Sequence, residues 1–195
     1  MRRIRLLGLA LLAAGCGGAS EALQTGPTTT SEAPEWTTFE LPEARLTVSH
    51  PPDWLRAPER LMPGLVDPRE LVALSTFDAR RGGENCAHMP ENAIEDMGPA
   101  DALVVVEERL AESEGGTPSD YPPRPGHFGS GKGYPSEAVD CLDRRKEFLD
   151  RFIPFSDVGR HFYAYVAFGP ETPSAVRTEA WAILDRLEIA PRSGT

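Results

Sequence analysis

Two strand-like runs joined by a glycine turn, followed closely by an amphipathic helical pattern, constrain this chain more than any other feature. Glu147 to Pro154 and His161 to Phe168 are rich in aromatic and apolar residues, and Ser156-Asp157-Val158-Gly159-Arg160 lies between them. Glycine supplies the left-handed backbone that a tight turn needs, so the pattern predicts an antiparallel hairpin. Beyond it, Thr172 is placed to cap a helix and Pro173 to open it. Val176, Ala180, Ile183, Leu184 and Leu187 then recur at helical spacing, which gives one apolar face for packing on a sheet. Pro191 is expected to end that helix.

Further strands are expected from Trp36 to Leu41, Ala44 to Ser49, Leu71 to Phe77, Ala102 to Glu107 and Glu137 to Leu142. The second alternates cleanly, with Leu46 and Val48 on one face and Arg45, Thr47 and Ser49 on the other. A shorter helix is expected over Pro90 to Met97 and a helical turn within Pro58 to Leu65. Strands and helices do not alternate as parallel βαβ units require. The expected class is therefore α+β, an antiparallel sheet flanked by helices with the C-terminal helix packed on it.

The chain opens Met-Arg-Arg-Ile-Arg, basic and without an acid, and then runs apolar from Leu6 to Ala14. These are the n-region and h-region of an export signal. Nine residues at about 1.5 Å rise cover less than half of a hydrocarbon core roughly 30 Å thick, so the run is too short to span a bilayer. The string Leu11-Leu12-Ala13-Ala14-Gly15-Cys16 resembles the bacterial lipobox, departing from it at Ala13, where leucine is most usual. The resemblance implies a signal peptide over residues 1–15, cleavage before Cys16, and palmitate-type acylation of that cysteine. An ordinary secretory signal that happens to be cut before Cys16 is the alternative. Residues 16–35 are rich in Gly, Ser, Thr, Pro and Glu and nearly free of large apolar side chains, which predicts a flexible tether. Residues 36–192 then form one domain.

The first fifteen residues hold three of the twenty Lys+Arg and none of the thirty Asp+Glu, which leaves 17 against 30 and a net charge of −13. So acidic a surface repels phosphate backbones, and nucleic acid is excluded as a partner. Cys86 and Cys141 remain downstream of the signal, in a compartment where disulfides persist. A bridge would close a loop of about 55 residues and contribute roughly 4 kcal/mol by the chain-entropy argument. Two separate buried thiols are the bland alternative, and a metal site using Cys86, His88 and Cys141 the sharp one. Metal spacing of the Cys-x-x-Cys kind is missing, so the reading assigns no metal and no cofactor.

The run Ala44 to Ala57, a strand breaking at Pro51-Pro52 before Trp54, and the closing block Arg160 to Ile189 are similar to the PsbP-like fold of extracytoplasmic lipoproteins and photosynthetic lumenal proteins. The resemblance covers roughly Ala44 to Ala190 and implies a central antiparallel sheet flanked by helices. No metal motif of the photosynthetic members is matched, so no site residue is carried over.

Gly126 to Gly133 nearly spells a phosphate-binding loop, but Gly133 stands where a hydroxyl is needed and prolines surround it, so a flexible surface loop is expected. His50, His88, His127 and His161 are scattered, and Ser130 beside His127 is the only local nucleophile and base pairing. No catalytic residues are assigned. Trp54 fits either an exposed binding aromatic or a plug over an open sheet end. With a helix covering one sheet face, the side bearing Tyr163 and Tyr165 is the candidate interaction surface. The expectation is a non-catalytic, lipid-anchored cell-envelope protein on the extracytoplasmic face of the membrane. It would act as a binding or accessory module for an envelope partner. An envelope enzyme, or a carrier of a small apolar ligand, are the alternatives.

Overall fold

A computed structural model describes residues 35–82, 85–86, 88–110, 121–135 and 147–192, without the side chains of residues 85 and 86. The expected strand from Glu137 to Leu142, the signal, Cys16, nearly all of the tether and Cys141 lie outside these residues.

The expected hairpin organises the fold. Strands β8 (Leu149–Asp157) and β9 (Arg160–Phe168) pair antiparallel from Asp157↔Arg160 to Leu149↔Phe168. Their two-residue link, Val158-Gly159, has φ of 46° and 73°, the doubly left-handed turn whose twist matches the strands it joins. Strand β7 (Ala102–Arg109) pairs with the other side of β9, and β4 (Arg69–Ser75) with β7. The short β3 (Leu55–Arg56) completes a five-stranded antiparallel sheet of order β3-β4-β7-β9-β8.

A second, three-stranded sheet of order β1-β2-β10 is a correction to the single sheet expected. It joins β1 (Thr37–Leu41) and β2 (Leu46–His50) to β10 (Glu188–Ile189), a strand the helical pattern had concealed. Helix α2 (Ser174–Asp185) stops short of Pro191, and Arg124 meets its end. The guanidinium of Arg124 donates to the carbonyls of Leu184, Asp185 and Leu187 at 2.8, 3.2 and 2.8 Å, filling acceptors at the helix end. Leu187, expected on the helix face, is thus buried just beyond the helix. Thr172 does not cap the helix either. Its hydroxyl donates to the carbonyls of Asp101 and Gly169, and Pro173 occupies the cap position without a side-chain bond.

Helix α1 (Glu91–Asp96) matches the shorter helix expected and follows a two-stranded pair, β5 (Asn85–Cys86) and β6 (Met89–Pro90). Residues 58–65 form turns rather than a helix, with Leu61 and Met62 buried.

Two apolar layers result. On the first face of the five-stranded sheet, Val104, Val106, Phe155, Phe162, Ala164 and Val166 meet Ile183 and Leu184 of α2 and Leu46 and Val48 of β2. On the second face, Leu103, Val105, Tyr165 and Ala167 meet Met62, Met89, Ala93, Ile94 and Met97. Strand β7 is covered on both faces, which is why its sequence runs Ala-Leu-Val-Val-Val rather than alternating. The chain is α+β, and no helix among the described residues is long and apolar enough to cross a membrane.

Candidate functional site

The apolar run of β7 ends in Glu107-Glu108, and because the strand is buried on both sides, so are both carboxyl groups. They point to opposite faces and meet opposite fates.

Glu108 faces α2 and lies among arginines. Its Oε1 accepts from Arg160 Nε at 2.7 Å and Arg192 NH2 at 2.9 Å, and its Oε2 from Arg69 NH2 at 3.2 Å. Burial works to raise its pKa, but the hydrogen bonds and charges of Arg160 and Arg192 outweigh it and hold Glu108 ionised below the usual carboxylate range. Arg160 also donates to the carbonyls of Ala44 and Ala190 at 2.8 and 2.9 Å. One buried cation therefore ties β9 to the β1–β2 turn and to the residue that follows β10.

Glu107 faces the second layer, and neither of its oxygens has a hydrogen-bond partner. A register shift in β4 between Glu70 and Val72 turns Glu70 onto the same face, directly across from Glu107. Glu70 is satisfied, accepting from the backbone N–H of Leu61 and Met62 at 3.0 and 2.8 Å. Burial, and then the charge of Glu70, push Glu107 up to about 9, so it stays protonated at neutral pH. Above it sits His88, held at φ 69° with Nδ1 4.0 Å from Glu107 Oε2, too far for a hydrogen bond. Burial and then the nearby Arg109 lower the His88 pKa, so this pair is neutral on both sides at neutral pH. Tyr163 lies beside Glu107 on β9, and Tyr121 packs edge-on against both Tyr163 and His161. Together these groups form a protonated carboxyl sealed beneath a half-exposed aromatic rim.

The residues singled out in the sequence fall apart spatially. Tyr163 is half-buried at this rim, but Tyr165 is fully buried against Phe152 and the second layer, so it offers no interaction surface. The second layer covers the face that a single flanking helix would have left open. Trp54 is buried too, its indole N–H donating to Glu179 on α2 at 3.0 Å, so it is the plug and not an exposed aromatic. The disulfide reading of Cys86 and Cys141 rests on side chains outside the described residues.

The glycine-rich loop is tied down. The carboxylate of Asp185 accepts from the Phe128 backbone at 2.8 Å and lies 3.3 Å from His127 Nδ1, and Phe128 is buried. A Cβ on Gly133 would meet the Phe152 carbonyl oxygen at 1.9 Å, so glycine is needed there for backbone packing rather than for phosphate. His127 thus pairs with Asp185 and not with Ser130, whose carbonyl accepts from Arg151. His50 is a buried structural residue donating to the Pro51 carbonyl at 2.8 Å. Among the described residues no group of three metal-ligating side chains converges.

Sequence reasoning passed over Glu107, Glu108 and Arg160. The available signal was a continuous apolar run, which implies two covered faces, continued by two acids with no turn residue between. Compared with known proteins, the chain matches no protein family and no curated sequence.

Proposed function

We propose that this chain is an extracytoplasmic lipoprotein of the bacterial cell envelope, whose folded part is a non-catalytic binding or accessory module of PsbP-like architecture. The observation that carries the reading is the N-terminal order of features. A basic start and nine apolar residues end at Gly15-Cys16, and the first strand begins only at Thr37. Acyl chains contribute about 0.8 kcal/mol per buried CH₂, so two or more hold an acidic domain at a bilayer by lipid alone. A sheet with helices on both faces supports the PsbP-like part of the reading. The accessory role is supported by two of the histidines the sequence offered for chemistry. His50 donates to the Pro51 carbonyl, and His127 lies against Asp185, the carboxylate that fixes the Phe128 backbone.

The test is the intact mass of the protein extracted from its native membrane, alongside a Cys16→Ser variant. A chain beginning at an acylated Cys16, released to the soluble fraction by the variant, is expected. A full-length, unacylated chain would overturn the reading. Alkylation before and after reduction reports on the proposed bridge: two thiols that react only after reduction are expected.

A further inference from the structure

A groove of about 490 Å³ runs between the β1–β2 turn and the edge of the five-stranded sheet at β3 and β4. Small-molecule sites typically occupy about 300–1,000 Å³. In a chain this acidic, the groove gathers three arginines, Arg56, Arg60 and Arg69. Arg69 is engaged by Glu108, but among the described residues no carboxylate lies within ion-pair reach of Arg56 or Arg60.

Arg56 is nevertheless held in place. Its guanidinium lies 4.5 Å over the Phe39 ring, a stacking contact that leaves the in-plane N–H donors free. Arg60 is exposed, and the acid its charge acts on, Glu70, already spends its oxygens on two backbone amides. Glu40 of β1 and Glu43 of the β1–β2 turn also line the groove, exposed and without an ion pair to these arginines. Opposite charges thus share one groove without neutralising each other, and apolar Leu41, Pro42 and Leu71 lie among them.

We propose that this groove binds a small zwitterionic ligand, an amino acid or short peptide with an apolar side chain. Its carboxylate is held by Arg56 and Arg60, and its ammonium is turned toward Glu40 and Glu43. A planar guanidinium fork suits a carboxylate, and the acids disfavour ligands that are only anionic. The proposal rests on the reading of the folded part as a binding module, and is independent of the lipid anchor.

The experiment is calorimetric titration of the full chain in detergent micelles with four probes: L-leucine, Leu-Leu, 4-methylpentanoate and isoamylamine. Saturable binding of L-leucine or Leu-Leu, at least tenfold tighter than either singly charged probe, is expected, and the preferred one separates amino acid from peptide. An Arg56→Gln/Arg60→Gln variant and a Glu40→Gln/Glu43→Gln variant should each weaken that binding at least tenfold while melting at the wild-type temperature, since all four side chains are exposed. Equal binding of 4-methylpentanoate, no saturable binding of any probe, or binding unchanged in both variants would overturn it. The mass of the native N-terminus is unaffected by any of these results, so a failed groove and a failed lipoprotein reading are told apart.

Discussion

Glu107 departs far from the ordinary behaviour of a carboxyl group, and its consequence is a pH dependence of stability. In the unfolded chain its carboxyl loses its proton near pH 4.5, whereas in the fold it holds it to about 9. The folded state therefore binds the extra proton between those values, and stability falls as pH rises through that window. His88 acts in the opposite sense below its ordinary value of 6.5, and Glu70, also raised by burial, acts in the same sense, so the comparison of wild type with a Glu107 variant between pH 7 and 9 isolates Glu107. One proton is worth up to about 1.4 kcal/mol per pH unit. Denaturant titrations of wild type at pH 7, 8 and 9 should show stability dropping, and Glu107→Gln should remove most of the slope. An equal slope in the variant would show that Glu107 ionises freely in the fold. This carboxyl was signalled only by the apolar run it continues, and its cross-strand neighbour Glu70 was not legible in the sequence. The β4 register shift that brings them face to face depends on tertiary packing and leaves no mark in the local pattern.

At the scale of elements, what was read from the sequence and what was missed divide along one physical line. Strands β1, β2, β4, β7, β8 and β9 and helix α1 follow from local composition and periodicity, and each lies close to where it was expected. The end of α2 is met instead by a side chain sixty residues away, Arg124, which fills its terminal carbonyls, and the residues beyond pair with β2. Both contacts are tertiary, and so β10 was read as helix. Arg124→Ala should cost roughly 2 kcal/mol, since it strips charged hydrogen bonds from several acceptors at once. Amide exchange should accelerate in the last turn of α2 and in the loop bearing Phe128, while β7 keeps its protection. Uniform acceleration across β7 as well would place Arg124 in the global core instead.

For the molecule as a whole, the α+β class was legible because alternation and helical spacing are properties of single segments. The division into two sheets was not, because it depends on how segments meet. Arg160 is that meeting point, joining β9, Glu108 and the carbonyls of Ala44 and Ala190 while itself buried. Removing one member of a buried pair costs about 3–5 kcal/mol when the other charge is left alone. Glu108 keeps Arg69 and Arg192, so Arg160→Met should destabilise the fold by an amount toward the lower end of that range in chemical denaturation. Adding Glu108→Gln should recover part of the loss, because the buried carboxylate that has lost its closest cation is then uncharged. If the double variant is no better than the single one, the carbonyl contacts of Arg160, and not its charge pairing, hold the sheets together.

The outer margin of β8 has a bearing on how crowded copies of this protein would behave. An open strand margin offers a ladder of free amides and carbonyls on which another chain can polymerise. Here the chain's own segment occupies it, through Pro123 against Ser156 and Tyr134 against Phe152, and Pro154 brings no donor to the middle of the strand. Copies brought close together would meet, at Phe152 and Ser156, a margin whose ladder is already taken.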